Sequence, residues 1–447
     1  MEALYGAHTQ RAIDNFTISS YPMPRAVIIA LCDIKVAAAW TNVTCGQLDR
    51  RCAEAISAAA QEIADGVWDD QFPIDVFQTG SGTSSNMNVN EVLARRGSQL
   101  LKLESPLHPN DDVNRSQSSN DVIPTAIRLA AIRAIKEDAV VALEQLITRL
   151  RTRSADHHAT VKPGRTHLMD AMPVTLGQVL GAWADRFAAH VAAAQRIIDR
   201  LSAMPLGGTA VGTGIGAPER FGELCLARLA EQTCLPLHTV IRPLALQAGI
   251  DDCLAASAWM RGVAQTLLRL ADDLRMLASG PRFGMGELQL PRLQPGSSIM
   301  PDKNNPVIEE AVIQVCCQIQ ACDHAIALAG QLGQFELSTT QPLIAYNLLE
   351  GLRLCTNALQ VLDTKSIAKF TVATDLEQRY HDHPILVTAL APVLGHEQAA
   401  ALVHKAQRTG NSLRDQALAD GLFDQQQLDE LLDLRHLVGL HDGSTGT

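Results

Sequence analysis

Between Gly296 and Pro306 the chain reads Gly-Ser-Ser-Ile-Met-Pro-Asp-Lys-Asn-Asn-Pro: a glycine and two hydroxyls, then an ammonium, then an amide. Gly296 lets the backbone swing. Ser297 and Ser298 offer hydroxyl or alkoxide oxygens, and Lys303 and Asn305 can grip a carboxylate. Pro306 resets the chain for a new helix, because proline is well tolerated at a first helical position. A Gly-Ser-Ser run alone is an ordinary loop. The lysine and amide that follow give it the makings of an anion site with a base beside it.

Three further polar islands carry similar chemistry. Thr79 to Glu91 holds Gly80 and Gly82, which can bring backbone N–H groups close to an anion, with Ser81 and Thr83 adding hydroxyl donors. Read as structure alone, it is a polar loop capping a helix that starts near Asn88. In His108 to Pro124, the residues Ser118, Ser119, Asn120 and Asp121 stand just before a long helix. Capping explains one or two of them, and the helix N-terminus adds partial positive charge for an anion. Gly164 to Pro173 carries Thr166 and His167, an acid/base or water-orienting pair if the other islands lie beside it. Glu310, on the first turn after Pro306, either serves the helix dipole or orients His167.

The elements that must position these islands are helices. Alanine and leucine dominate, aromatics are only 4%, and long stretches lack both Gly and Pro. From Thr125 to His157 the apolar residues Ile127, Ala130, Ala131, Ala134, Ile135, Val141, Ile147 and Leu150 follow helical spacing. Further helices are expected from Pro173 to Ala203, from about Ile250 to Ser279, after Pro306 and from near Pro342. Five long helices in succession predict an all-α bundle, and no alternating strand pattern of useful length is found among them. Three domains are expected: a mixed helical one over 1–116, the bundle over 117–374, and a small helical one over 375–447. Breaks in the last are placed at Pro384, Pro392, Gly395 and Gly410, with a frayed tail from Asp442.

Composition excludes several classes of function. The 447 residues suffice for a large core. The 37 basic and 48 acidic residues give a net charge of −11 with no basic block, which argues against nucleic-acid or anionic-membrane partners. An anionic substrate must then be drawn in by a few local cations. The ten cysteines show no C-x-x-C pair, so reduced thiols rather than disulfides or zinc are expected. The apolar run Ala26–Trp40 is broken by Asp33 and Lys35 and reads as too short to span a bilayer. No secretory signal pattern is read, and the cytoplasm is the expected location. No motif calls for a metal, flavin or nicotinamide.

The four islands, in their order and spacing, resemble the characteristic blocks of the fumarase/aspartase superfamily, the lyases that release fumarate from substituted succinates. Tyr5-Gly-Ala-His-Thr-Gln-Arg-Ala12 and Leu206-Gly-Gly-Thr-Ala-Val-Gly-Thr-Gly214 extend the resemblance over nearly the whole chain. The resemblance implies a three-domain lyase whose long bundles pack into a homotetramer core, with each site drawn from three chains. It implies Ser297 as general base, Lys303 and Asn305 on one substrate carboxylate, and Ser118, Ser119 and Asn120 on the substrate's other polar groups. Ser81, Thr83, Thr166 and His167 complete the pocket, with Glu310 behind His167. The helix from about 125 to 157 is on the order of 50 Å long, so Ser118–Asn120 and His167 are expected to meet only across subunits.

The leaving group is less sharply written. Ser118-Ser119-Asn120-Asp121, Thr79-Gly80-Ser81-Gly82-Thr83 and His108–Asn114 resemble fumarases. Arg11–Ser19, Asn305-Pro-Val and the Gly410-Asn-Ser-Leu-Arg-Asp run resemble aspartases. Asn304, Ser84 and Ser338 depart from the usual pattern near the expected pocket. The substrate-contacting islands favour malate and fumarate; ammonia loss from aspartate, another C2-substituted succinate, or a catalytically silent structural relative are the alternatives.

Overall fold

The computed structural model describes residues 3–296 and 298–440; Ser297 and the tail from residue 441 lie outside the described residues. The chain is built of helices, and the five long ones fall where their periodicity places them. They are Ser119–Arg133 with its continuation through Ala134–Ala139 to Val140–Asp156, then Leu176–Leu201, Asp251–Leu277, Val307–Ala329 and Gln341–Leu362. The stretch Ala134–Ala139 is a π-turn rather than plain α-helix. It inserts one extra residue per turn and shifts the apolar stripe of the second half relative to the first.

Two compact units emerge, each drawing segments from the long helices. One comprises Met1–Ala142, His190–Gln265 and Gln314–Ala358; the other comprises Leu143–Ala189, Thr266–Ile313 and Leu359–Thr447.

The first unit is organised on helix Arg25–Thr44, opened by Pro24 and apolar on nearly all sides, with Val27, Leu31, Ile34 and Ala38 fully buried. A helix that is apolar all round belongs in a core. At 20 residues it is longer than the apolar run suggests, long and apolar enough by length and composition to cross a membrane, yet 67% of its apolar window is buried within the chain. Helices Arg50–Ala64, Ser119–Arg133 and Phe221–Thr233 pack against it. Arg128, 2% exposed, spans this unit with an ion pair to Asp252 at 2.7 Å, whose other oxygen takes Arg200 at 3.0 Å.

The second unit contains an element the sequence reading lacked. Val161–Thr166 and Met169–Thr175 form an antiparallel hairpin in which Pro163 faces Pro173. The helix expected from Pro173 therefore starts at Leu176. A reciprocal cap marks that start: Gln178 N–H donates to the Thr175 hydroxyl oxygen at 3.0 Å, and Thr175 N–H donates to Gln178 Oε1 at 2.9 Å. Short helices from Val387 onward close over a core of Tyr380, Leu386, Leu390, Leu402 and Leu428. Gly395 and Gly410 separate these helices, but Pro392 lies inside helix Val387–Leu394 and breaks nothing.

Glu287 ties the hairpin down. It is 2% exposed and pairs with Lys162 at 3.1 Å and with Arg165. Glu287→Ala would leave two cations in a largely dry site, so we expect a loss of ~3–5 kcal/mol of stability, read from denaturant unfolding. A loss below about 1 kcal/mol would show that water or another anion replaces the carboxylate.

Candidate active site

Three polar segments converge in the first unit. Ser118 caps helix Ser119–Arg133: its hydroxyl accepts from Asn120 N–H at 3.3 Å, while Asp121 Oδ1 accepts from Ser118 N–H at 3.0 Å. The helix therefore begins several residues before Thr125, and Ser119 and Asn120 occupy its first turn. Pro124 sits inside it, where its missing N–H leaves the Asn120 carbonyl without the usual helical donor. Asp121, fully buried, also accepts from Gly207 N–H at 2.9 Å and Thr209 N–H at 3.0 Å. Burial raises its pKa, against the pull of those three N–H groups and the Lys35 charge. The Asn120 amide donates to the Ala210 carbonyl at 2.8 Å. The Leu206–Gly214 block is thus clamped onto the Ser118–Asp121 turn.

Beside it, helix Thr83–Leu101 starts five residues earlier than expected, because Gly82 takes the left-handed conformation (φ 72°) at its N-cap. A Cβ on Gly82 would stand 3.0 Å from Ile123, and one on Gly80 would stand 1.8 Å from the Thr339 carbonyl oxygen. These glycines serve close packing, so two helix N-termini can lie side by side with their partial positive charges. The Ser81 and Thr83 hydroxyls are 2.8 Å apart and share a hydrogen bond. The Thr79 and Ser84 hydroxyls are 3.3 Å apart, and Ser338 is buried with its oxygen 3.5 Å from that of Thr340. Glu91 does not join this donor cluster. It accepts from the N–H groups of Gly6, His8 and Thr9 and from the Thr9 hydroxyl. Burial raises its pKa, but these donors outweigh it and hold the carboxyl below its usual range.

Sequence reading missed the group beneath this turn. Lys35, fully buried, donates to Asn114 Oδ1 at 2.8 Å and Gln117 Oε1 at 3.0 Å. Burial brings its pKa down to about 7, with the charge of Asp121 and the thiols Cys32 and Cys225 acting to raise it.

The second unit carries Thr166, His167, Lys303, Asn305 and Glu310. Thr166 pairs with Met169 across a two-residue turn in which His167 and Leu168 have φ of 56° and 61°. Positive φ at both central residues is the geometry that matches strand twist, but it favours Asn-Gly. A non-glycine residue held there stores on the order of 1–3 kcal/mol, and such strain concentrates at functional sites. His167 is exposed at the tip of this turn. The hairpin is braced by Arg165 and His383 on Asp170 and by the Tyr380 hydroxyl, which donates to the Ala171 carbonyl.

The Gly296–Pro306 loop is stapled at its base. A Cβ on Gly296 would lie 2.0 Å from the Lys303 carbonyl oxygen, and the Asn305 amide donates to the Gly296 carbonyl at 2.6 Å. The Asn304 amide donates to the Leu290 carbonyl at 3.0 Å, and Arg292 pairs with Asp302 at 2.5 Å. One of the two N–H groups of Asn305 is thereby used within the loop. Lys303, Ser298 and Ile299 are exposed, and a cavity of about 330 Å³ is lined by Arg292 to Gly296 and Met300 to Asn304. No hairpin residue contributes to that lining.

Glu310 is exposed on the first turn of helix Val307–Ala329, and among the described residues no hydrogen bond joins it to His167. Its neighbour Glu309 is the buried one. Glu309 accepts the Ser366 hydroxyl, and burial raises its pKa. Adjacent glutamates in a helix read alike in sequence; only the packed face separates them.

The arrangement supplies hydroxyl, amide and helix-terminal donors for an anion in one unit. In the other it supplies an exposed imidazole, an exposed ammonium and a serine-bearing loop. Residues 1–321 match a family model described as lyase, and residues 386–439 match one described as fumarase C C-terminus. The chain is 44% identical over 99% of its length to a class II fumarate hydratase of Xylella fastidiosa, covering 93% of that protein. It is 46% identical over 97% of its length to one of Mycobacterium tuberculosis, covering 91% of it. The crystal structure of class II fumarase from Schistosoma mansoni matches with a TM-score of 0.94 at 34% identity, covering 99% of this chain and 97% of the other.

Proposed function

The chain belongs to the lyase family of the fumarase/aspartase superfamily, and from that premise we propose that it interconverts malate and fumarate by reversible loss and addition of water. The observation that carries this reading is near-full-length identity of 44% and 46% to proteins named class II fumarate hydratase. The donor sets described above fit the chemistry such an elimination needs. Removing a proton from the carbon next to a carboxylate pushes a second negative charge onto that carboxylate, and loss of hydroxide from the neighbouring carbon, protonated as it leaves, completes the double bond. Fixed donors must surround the charged oxygens beforehand, each worth ~2.7–4 kcal/mol of barrier.

Ser297 is the base in this reading. Lys303 and Asn305 bind one carboxylate, and Ser118, Ser119, Asn120, Ser81 and Thr83 bind the remaining oxygens. His167, with Thr166 beside it and Glu310 acting on its imidazole, handles the proton of the departing water. The residues fall into an N-terminal segment over 1–116, a bundle over 117–374 and a C-terminal segment over 375–447.

The active form is a homotetramer. Helix Val307–Ala329 supports this: it is apolar, yet only 33% of its apolar window is buried within one chain. Cys317, Ala321 and Leu328 form an exposed stripe along it, a face fitted to another helix. The protein works as a soluble enzyme of the cytoplasm. In keeping with that, all ten cysteines are free, and burial raises the pKa of Cys32, Cys225, Cys316 and Cys355.

The test is direct. Purified protein given malate or aspartate should form fumarate from malate at least a hundredfold faster, followed by its ultraviolet absorbance. Ammonia release from aspartate as fast as dehydration of malate would replace this reading with an ammonia-lyase.

A further inference from the structure

We propose that Lys35 is a positioning residue that fixes the donor direction of the Ser119 hydroxyl through Asn114 and Asn86. The proposal deepens the reading of Ser119 as a substrate-binding donor and rests on it. The four residues lie on helix Arg25–Thr44, on the loop before Ser118, on helix Thr83–Leu101 and on the first turn of helix Ser119–Arg133.

In its charged form, the one that prevails below a pH of about 7, Lys35 Nζ donates and never accepts, so both groups that meet it must present oxygens: Asn114 Oδ1 at 2.8 Å and Gln117 Oε1 at 3.0 Å. Asn114 Oδ1, held as an acceptor, can be met by its other neighbours only through donors. Asn86 Nδ2 stands 3.2 Å from it and Asn90 Nδ2 stands 3.3 Å from it. The Asn86 amide has two N–H groups, and the second donates to the Ser119 hydroxyl oxygen at 3.1 Å. A hydroxyl that accepts in this way keeps its single hydrogen for another partner. At the head of a helix, beside Ser118 and Asn120, that partner is a ligand anion.

Reversing any amide breaks the chain at its source. Turning Asn86 would set its oxygen against Asn114 Oδ1. Turning Asn114 to relieve that would set its NH2 against the Lys35 ammonium. The network keeps this orientation at a cost: Asn86, 1% exposed, and Asn90, fully buried, each carry a side-chain oxygen with no partner among the described residues. Buried polar atoms are rarely left unpaired, and here the cation at the base of the relay accounts for it. Without Lys35, the orientation of Asn114 rests on the 3.3 Å donation of its Nδ2 to the Gln117 carbonyl, and the Asn114 and Asn86 amides turn together once that one long bond is given up. The Ser119 hydroxyl can then spend its hydrogen on Asn86 Oδ1 instead of on a ligand.

A double-mutant cycle tests this, with succinate, a dicarboxylate with no group to expel, as the calorimetric probe. Lys35→Met and Ser119→Ala should each weaken succinate binding by roughly 10- to 150-fold, the range for a hydrogen bond to a charged group. The double variant should bind no more weakly than Ser119→Ala alone, because both changes remove the same donor. Additive losses would overturn the relay and leave Lys35 a purely structural cation. No loss on Ser119→Ala would overturn both the relay and the Ser119 reading, whereas a loss there with none on Lys35→Met would overturn the relay alone. If Lys35→Met does not fold, Lys35→Gln, whose amide can turn either a donor or an acceptor to Asn114, carries the same cycle, and the same non-additive loss is expected.

Discussion

Ser297→Ala is expected to lose nearly all turnover of malate, to below a hundredth of the wild-type rate, while the protein still folds and binds succinate. The carbon acid next to a carboxylate is very weak, so the step that removes its proton has no slow substitute once the base is gone. A serine serves as that base only where cations and N–H donors stabilise its alkoxide. On the proposed reading, the exposed ammonium of Lys303 on the same loop is the cation that does so. The loop's base is held by Gly296 and Asn305, and removal of the Ser297 hydroxyl is expected to leave the fold unchanged. Binding of succinate should persist, since Lys303 and the Ser118–Asn120 donors remain. Circular dichroism, succinate calorimetry and the fumarate assay together decide the matter. A variant keeping a tenth or more of wild-type turnover would remove Ser297 from the role of base.

The five long helices were legible because each repeats small and branched apolar residues at helical spacing over several turns, a signal that no single residue can erase. The hairpin carrying His167 was not legible. Its turn is His-Leu where the geometry favours Asn-Gly, and Pro163 and Pro173 argue against a strand on both sides. Tertiary support stabilises it: Glu287 meets Lys162 and Arg165 from more than a hundred residues away, and Tyr380 reaches the Ala171 carbonyl. None of these pairings has a local signature. The Thr175-to-Gln178 cap, by contrast, was present in the sequence and marked the true helix start.

The donor islands were found by composition, but their internal division of labour came from the structure. Gly80 and Gly82 read as anion-cradling glycines, and both also stand where an added Cβ would meet Thr339 or Ile123. Lys35 reads as an interruption of an apolar run and proves to be a buried cation whose partners Asn114 and Gln117 lie some eighty residues on. Periodicity tells which face of a helix is buried. It does not tell which buried polar residue has found partners, because those partners come from other elements.

Mixing two dead variants should revive activity. His167→Asn is expected to fall ~10²–10⁴-fold, the usual worth of acid–base assistance, and Ser297→Ala further still. Unfolded, combined in equal amounts and refolded, they should recover roughly a quarter of wild-type activity. Ser118–Asn120 stand at the head of helix Ser119–Arg133, and Thr166 and His167 follow its continuation through Val140–Asp156. The helix expected between Ser119 and His167 is on the order of 50 Å long, too long for one small dicarboxylate to bridge. On the proposed reading, a site that needs these groups is assembled from different copies of the chain, as a symmetric oligomer allows. With His167 of one chain serving the site to which another chain supplies Ser297, random assembly leaves each site an even chance of either intact residue. About one site in four then escapes both lesions. With both residues from one chain, every site carries a lesion and the mixture stays as inactive as its parents. That outcome, under conditions where the wild type refolds, would overturn the shared site.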